Sequence, residues 1–300
     1  MSSAIHGPAR VPLTTRFRSL VTTRAAGAAA IVIAILWTIP TFGLLVSSVR
    51  TSSDIKTSGW WTALTNPQLT LDNYAQVLFG SGSSGRMIDY FVNSMVIALP
   101  AVVIPLVLGA MAAYAFSFLT WKGRDAVFLV VFGLQIVPIQ MALIPMLRLS
   151  VSLDLSSISP FLPVWLMHAV FAAPLAVFLL HNFMSEIPRE LVEAARVDGA
   201  GHVVVFTRVI VPLLRPALAS YAILQFLWVW NDLLVALTFA GGSQETAPLT
   251  VRLAALAGTN GVQWHLLTAG AFVSMVVPLA IFFALQKQFV RGMLAGSVKG

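Results

Sequence analysis

Charged side chains divide this chain into a few long intervals that contain none, and that spacing limits what it can fold into. Arg24 and Arg50 enclose 25 uncharged residues, Asp89 and Lys122 enclose 32, and Asp125 and Arg148 enclose 22. Asp154 and Glu186 enclose 31, and Arg252 and Lys287 enclose 34. Between Arg215 and Glu245 only Asp232 is charged. A helix needs about 20 mostly apolar residues to cross the hydrocarbon of a bilayer, so each interval is long enough for one crossing. Lipid cannot satisfy an open backbone, which makes helices the expected form, and the alternating pattern of a membrane β-barrel is absent. The expectation is an all-α integral membrane protein with six transmembrane helices, over about 25–49, 91–118, 126–148, 161–183, 216–239 and 266–287. Residues 1–24 read as an N-terminal arm and 25–300 as one membrane domain.

Composition agrees. Only 10% of the residues are charged and the mean hydropathy is +0.88, against roughly 25% charged in a soluble domain. Cysteine is absent, which excludes a disulfide framework, a thiolate nucleophile and a Cys-ligated metal. The histidines, His6, His168, His181, His202 and His265, are scattered without metal-ligand spacing. No Ser/His/Asp set suggests itself, so the chain has no catalytic site of its own and takes energy from elsewhere.

The net charge of +7 could suggest nucleic acid, but its placement follows topology. With the N-terminus inside, thirteen Lys/Arg fall on inner segments and five (Arg50, Lys56, Arg86, Arg148 and Arg252) on outer ones. The positive-inside rule then puts both termini in the cytoplasm, with a lipid bilayer and no nucleic acid as partner. The first apolar stretch exceeds the 7–15 residue core of a secretory signal and reads as a retained span. The outer segment between spans one and two carries Trp60, Trp61, Pro67 and Tyr74 and should be partly structured at the interface.

Polar residues concentrate in one inner loop, 184–215. Four of the eleven acids and four of the eighteen Lys/Arg lie between Glu186 and Arg215. Such a cluster belongs outside the membrane. Ser185 can cap a helix, Pro188 suits its first turn and Gly199 its end. Leu191, Ala194, Ala195 and Asp198 share one face at helical spacing, with Arg189, Glu193 and Arg196 on the other. A second short helix would carry Val203, Val204, Phe206 and Val209 before Pro212 and Pro216 open span five. The competing reading is an amphipathic helix lying on the membrane surface, although acids facing anionic lipid weaken it.

Glu193-Ala194-Ala195, then Gly199, then Val209-Ile210-Val211-Pro212, resembles the EAA loop of bacterial ABC importer permeases, with Val209 and Val211 where the family usually has Ile and Leu. Phe91-Val92-Asn93-Ser94, Thr70-Leu71-Asp72-Asn73-Tyr74, Trp228-Val229-Trp230-Asn231-Asp232 and the tail Ala295–Gly300 resemble the carbohydrate branch, in particular the six-span subunit of maltose-type transporters. The resemblance implies a type I ABC importer permease in the cell inner membrane. It implies a second permease subunit, two copies of a cytoplasmic ATPase and an extracytoplasmic sugar-binding protein as partners. No cofactor would be bound by this chain, ATP and Mg residing on the ATPase. The EAA loop would insert into an ATPase cleft as a coupling helix, with Glu193, Ala194, Ala195, Asp198, Gly199 and Pro212 as its ATPase-coupling residues. Glu193 would pair with a basic group there, or, as the simpler reading, with Arg189 or Arg196 within the loop.

Polar groups inside the spans usually face the bundle interior. Asn93, Gln140, Trp230, Asn231 and Asp232 are the substrate-pathway candidates, beside Ser94, Gln135, His168 and Gln225. Asp232 stands about 25 Å along the helix from Arg215, in the outer half of span five. Trp228 and Trp230 suit either a sugar ring or the interfacial aromatic belt. Gly80-Ser81-Gly82-Ser83-Ser84-Gly85 mimics a phosphate-binding glycine motif but lacks the Lys-Ser/Thr and strand context, and reads as a connector. The expected function is ATP-driven, binding-protein-dependent import of a sugar, an oligosaccharide such as an α-glucoside. A self-sufficient secondary transporter is the alternative, and a membrane scaffold without transport would explain the spans but not the polar groups within them.

Overall fold

A computed structural model describes the backbone of residues 13–80, 85–258 and 261–295, and the side chains of 25–80, 85–258 and 261–284. The start of the arm, residues Ser81–Ser84 of the Gly-Ser connector and the tail beyond Ala295 lie outside the described residues. Among these residues the chain is helical, with one isolated bridge between Arg50 and Leu69.

The helices follow in order as α1 (Leu13–Ser48), α2 (Ser52–Thr57), α3 (Asp72–Phe79), α4 (Met87–Phe118), α5 (Arg124–Gly133), α6 (Ile139–Ser152), α7 (Leu155–Ile158) and α8 (Leu162–Ser185). Then come α9 (Arg189–Val197), α10 (His202–Val204), α11 (Val211–Leu213), α12 (Arg215–Asn231), α13 (Leu234–Phe239), α14 (Leu249–Ala257) and α15 (Trp264–Ala295). Segments of α1, α4, α8 and α15 are each long and apolar enough to cross a membrane unbroken. Two further apolar stretches are bent helix pairs, and the total rises to six if each pair is one span.

The bends have local causes. The third hydrophobic stretch, expected as one span over 126–148, turns by 104° between Ile136 and Ile139. Pro138 sterically drives the preceding residue out of the α region, and Val137 is extended at φ −70°, ψ 118°. The second bent pair turns by 75° between Leu213 and Arg215; the fifth stretch, expected over 216–239, also breaks at Asp232, whose backbone is extended at φ −72°, ψ 136°. Its side chain then starts α13, taking the amides of Val235 and Ala236 at 3.3 and 2.8 Å. Proline inside α4, at 100 and 105, and inside α8, at 174, is tolerated without a break, because packed neighbours satisfy the freed backbone groups.

α4 and α8 form the centre, and small residues bring them together. Ala98, Ala101, Ala113, Ala172 and Ala176 are buried, and a Cβ added at Gly109 would stand 2.5 Å from that of Ala176. In a membrane, close packing and interhelical hydrogen bonds replace much of the hydrophobic drive. Trp165 Nε1 donates to the Val96 carbonyl, Gln225 Nε2 to that of Ala101 and Tyr221 Oη to that of Ala172. Gly109→Ala is expected to cost about 1–3 kcal/mol by overpacking, and Ala176→Gly in the same chain should recover most of it. Thermal unfolding in detergent checks this; a Gly109→Ala midpoint equal to that of the parent would refute the packing.

The outer segment after α1 is structured, as its aromatic residues suggested. Trp60 packs on Gly43 and sets its ring edge-on to Phe42 at 5.8 Å. Asn73 Nδ2 donates to the carbonyls of Ser48 and Arg50, and Tyr74 shares a 2.7 Å hydrogen bond with Ser48. Asn73 and Tyr74 of the Leu-Asp-Asn-Tyr run therefore fasten α3 to the end of α1.

Candidate functional site: the loop between the fourth and fifth apolar stretches

The loop begins one turn later than the sequence suggests. Ser185 does not cap α9; its hydroxyl donates to the His181 carbonyl within α8, the usual fate of a serine still inside a helix. Pro188 precedes α9 as its cap residue and makes no side-chain cap bond. The far end follows the expectation. Gly199 has φ +84°, the Ala200 amide reaches the Ala195 carbonyl at 2.9 Å and the Gly199 amide that of Arg196 at 3.0 Å. This is a Schellman closure, which needs a left-handed residue at Gly199. A Cβ in that conformation costs about 1–2 kcal/mol.

The faces of α9 divide differently from the pattern read in the sequence. Val192 is buried and Ala195 partly so, packed against a cluster that contains Tyr114 and Leu180 of the central helices and Val205 and Ile210 of the loop. Leu191, Ala194 and Asp198, expected on the same face as Ala195, point outward with Glu190 and Glu193. The seat thus runs along Val192 and Ala195, three residues apart, where the Val205–Ile210 turn and the ends of α4 and α8 share one buried cluster. What remains outside is both charged and apolar. Leu191 is 45% exposed, Val197 88% and Val203 75%, an unusual amount for a polar loop.

The second half of the loop is one helical piece with a wide turn. Between α10 and α11, residues Val205–Ile210 form a π-turn, and the Val211 amide reaches back to Phe206. Pro212 follows directly and brings no amide of its own. Val205 and Ile210 are fully buried, and Phe206 meets Tyr114 edge-on at 5.4 Å. His202 Nδ1 lies 3.1 Å from Tyr114 Oη and 2.8 Å from Arg196 Nη2, so it links α9, α10 and α4. The chain then turns by 75° into α12. Arg196 is therefore engaged with His202, and the salt bridges among the described residues do not involve Glu193.

The pathway candidates lie elsewhere. Asn93 is buried and donates to the carbonyls of Gln244 and Ala247, while Ser94 Oγ accepts the Leu249 amide at the start of α14. Trp230 is buried, donates to the Ser274 carbonyl, and sits between Phe91 and Phe226. Asn231 is exposed and donates to the Leu227 carbonyl. Gln140 is exposed beside the Pro138 break. Asp232 is occupied as the cap of α13, and its backbone carbonyl accepts from Thr250 Oγ1. Three polar residues gain weight in the structure, His168 from among the polar groups of the spans and two arginines the sequence did not single out. His168 is fully buried, with both ring nitrogens lacking a hydrogen-bond partner and Nε2 3.8 Å from Asp232 Oδ2. Arg252 is buried, and Arg50 organises the outer segment. In the sequence both arginines merely bound apolar intervals.

Asp232→Ala is expected to destabilise by about 0.5–2 kcal/mol through loss of the cap, with Asp232→Asn retaining much of the parent stability. Equal melting of the alanine variant and the parent would remove the capping role.

Among the described residues no three His, Asp or Glu side chains gather as a metal site. The loop offers a mechanical element: a short helix closed at Gly199, seated on the Val205–Ile210 turn beside the ends of α4 and α8, with a mixed charged and apolar face outward. Residues 75–295 match the family model described as binding-protein-dependent transport system inner membrane component. The osmoprotective compounds uptake permease protein GgtD of Synechocystis sp. is 50% identical over 275 residues, 90% of each chain. The alpha-glucoside transport system permease protein AglG of Rhizobium meliloti is 50% identical over 244 residues, 80% of this chain and 63% of that one. The melibiose/raffinose/stachyose import permease protein MelC of Bacillus subtilis is 32% identical over 263 residues, 87% of this chain and 91% of that one. A crystal structure of a bacterial ABC transporter that imports the acidic polysaccharide alginate contains a chain with the same fold, at TM-score 0.69 and 20% identity, over 94% of this chain and 99% of that one.

Proposed function

Because this chain belongs to the family of inner-membrane components of binding-protein-dependent transport systems, we propose that it is one of two permease subunits of an ATP-driven importer of an α-linked oligosaccharide. Two copies of a cytoplasmic ATPase would supply the energy, and an extracytoplasmic binding protein would deliver the sugar. The observation that carries the mechanical part is the seating of α9. Val192 and Ala195 seat it on the Val205–Ile210 turn, in one cluster with the ends of α4 and α8, the Gly199 closure ends it sharply, and Glu193, Leu191 and Val197 are left to a partner. A helix fixed in this way passes a push from the ATPase to the two central helices rather than bending. Glu193, Ala194, Ala195, Asp198, Gly199 and Pro212 are the coupling residues of this reading, with Ala195 in the seat and the closure at Gly199.

The sugar assignment is supported by the names of AglG and MelC. Gln140 and Asn231 are the exposed polar groups among the pathway candidates. The test is purification through a tag on this chain, expressed with its genomic neighbours, followed by uptake assays. A second permease and an ATPase should co-elute, and unlabelled α-glucosides should compete for uptake. Transport in vesicles without ATP by this chain alone would instead support a secondary transporter.

A further inference from the structure

At the loop end of the bundle, a cavity of about 230 Å³ opens where α4 ends, α5 begins and α8 passes into α9. Its polar lining is Ser117, Arg124, His181, Ser185 and Arg189, and no acidic side chain lines it. Four of these five groups are held in place, Ser185 by its bond to the His181 carbonyl. Ser117 Oγ is 2.8 Å from His181 Nδ1, and Arg124 Nε donates to Asp125 Oδ1 at 2.9 Å. That carboxylate is 85% exposed; it and the Leu119 carbonyl, which takes Nη1 at 3.5 Å, orient the guanidinium, and Nη2 remains for a ligand. Arg189 forms no salt bridge among the described residues. Two arginines with hydroxyl and imidazole groups match the oxygens of a phosphate group.

What adjoins the cavity identifies the carrier of that phosphate. α5 climbs away from Arg124 into the apolar region with Val127, Leu129 and Val130 exposed along it, and Trp121 is exposed at its foot. An apolar track beginning at a basic cavity suits a molecule with a charged head and hydrocarbon tails. On the cytoplasmic side, basic pockets between transmembrane helices recognise anionic lipid headgroups. We propose that this cavity binds the phosphate of an anionic phospholipid whose acyl chains lie along α5. Because Arg189 opens α9, the lipid would tie the root of the coupling helix to α4 and α5, making coupling sensitive to inner-leaflet charge. The sidedness rests on the function proposed above; the binding itself does not.

The test needs neither ATP nor sugar. The purified protein is exchanged into vesicles of phosphatidylcholine containing phosphatidylglycerol, re-extracted, and its retained lipid quantified by native mass spectrometry. The parent should retain phosphatidylglycerol over phosphatidylcholine. Arg124→Gln and Arg189→Gln should each weaken that retention about fivefold, the factor for ~1 kcal/mol per basic residue near a charged headgroup. Added inorganic phosphate should not displace the lipid. No preference in the parent, or undiminished preference when both arginines are replaced, would overturn the proposal. Full displacement by inorganic phosphate would also overturn it, assigning the cavity to a soluble anion. The parent's preference is informative even if a variant fails to fold.

Discussion

Glu193→Ala is expected to release the ATPase from the purified importer and abolish uptake while the chain still inserts and melts as the parent does. Glu193 is exposed, contributes nothing to the seat of α9, and is absent from the salt bridges among the described residues. Its removal should therefore be silent for this chain alone. In an assembled importer the carboxylate would be buried against a basic group, and truncating one member of such a pair costs about 2–5 kcal/mol, at least about 30-fold in affinity. Glu193→Gln should fall between. The comparison with Val192→Ala is informative, because Val192 is buried in the seat. Val192→Ala should lower the melting temperature, whereas Glu193→Ala should not. Retention of the ATPase at normal stoichiometry in Glu193→Ala would refute the pairing.

Arg50→Met should unlatch the outer segment without disturbing the central helices. Arg50 is only 4% exposed, and it is in none of the salt bridges among the described residues. Its Nη1 donates to the carbonyls of Ser58 and Gly59, at 3.3 and 2.9 Å. Its Nη2 donates to the carbonyl of Asp54 and to the hydroxyls of Ser58 and Thr62, at 3.2, 2.7 and 3.1 Å. One guanidinium thus closes α2 and the short 3₁₀ turn Trp60–Leu64 into a compact cap over the end of α1. Methionine keeps the length but supplies no donor; the Asp54 and Gly59 carbonyls keep the amides and hydroxyls of Ser58 and Thr62, and the Ser58 carbonyl loses its partner. Hydrogen bonds from a charged donor contribute about 1.5–3 kcal/mol, and with Asp54 and Gly59 keeping other donors the total should be about 1.5–3 kcal/mol. Limited proteolysis should then cut within residues 51–66 at concentrations the parent resists. Arg50→Lys, a single point donor, should protect only in part. Unchanged resistance in Arg50→Met would show that Trp60 and Tyr74 hold the segment alone.

Much of the loop was legible because its signals are local. Gly199 reads as a helix end, and a left-handed closure there needs only neighbouring backbone. The inward face of α9 was not legible, since Leu191, Ala194 and Ala195 make as good a stripe as Val192 and Ala195 until α4 and α8 are in place to receive one of them. Ser185 was assigned to the wrong helix for a related reason: a serine caps a helix or bonds back within one according to where the preceding helix stops. Pro138 is visible in the sequence, yet Pro100, Pro105 and Pro174 are equally visible and break nothing. Only the surrounding packing decides between a tolerated proline and a 104° turn. Asn93 and Trp230 read as pathway candidates because polar and aromatic groups in a span are costly to leave alone; the structure gives both internal partners.

The sequence by itself determined that the chain enters a membrane as helices, roughly where each apolar stretch begins and ends, and that one polar loop between two of them is helical. Those properties follow from the long uncharged intervals and from backbone satisfaction, which are additive along the chain. The tertiary structure alone decided which side of α9 is seated, that the third and fifth stretches are bent, that Gly109 and Ala176 set the spacing of the central pair, and that Ser117, Arg124, His181 and Arg189 share one cavity. Each of these depends on residues distant in sequence meeting at angstrom separations, and neither periodicity nor charge spacing encodes that distance.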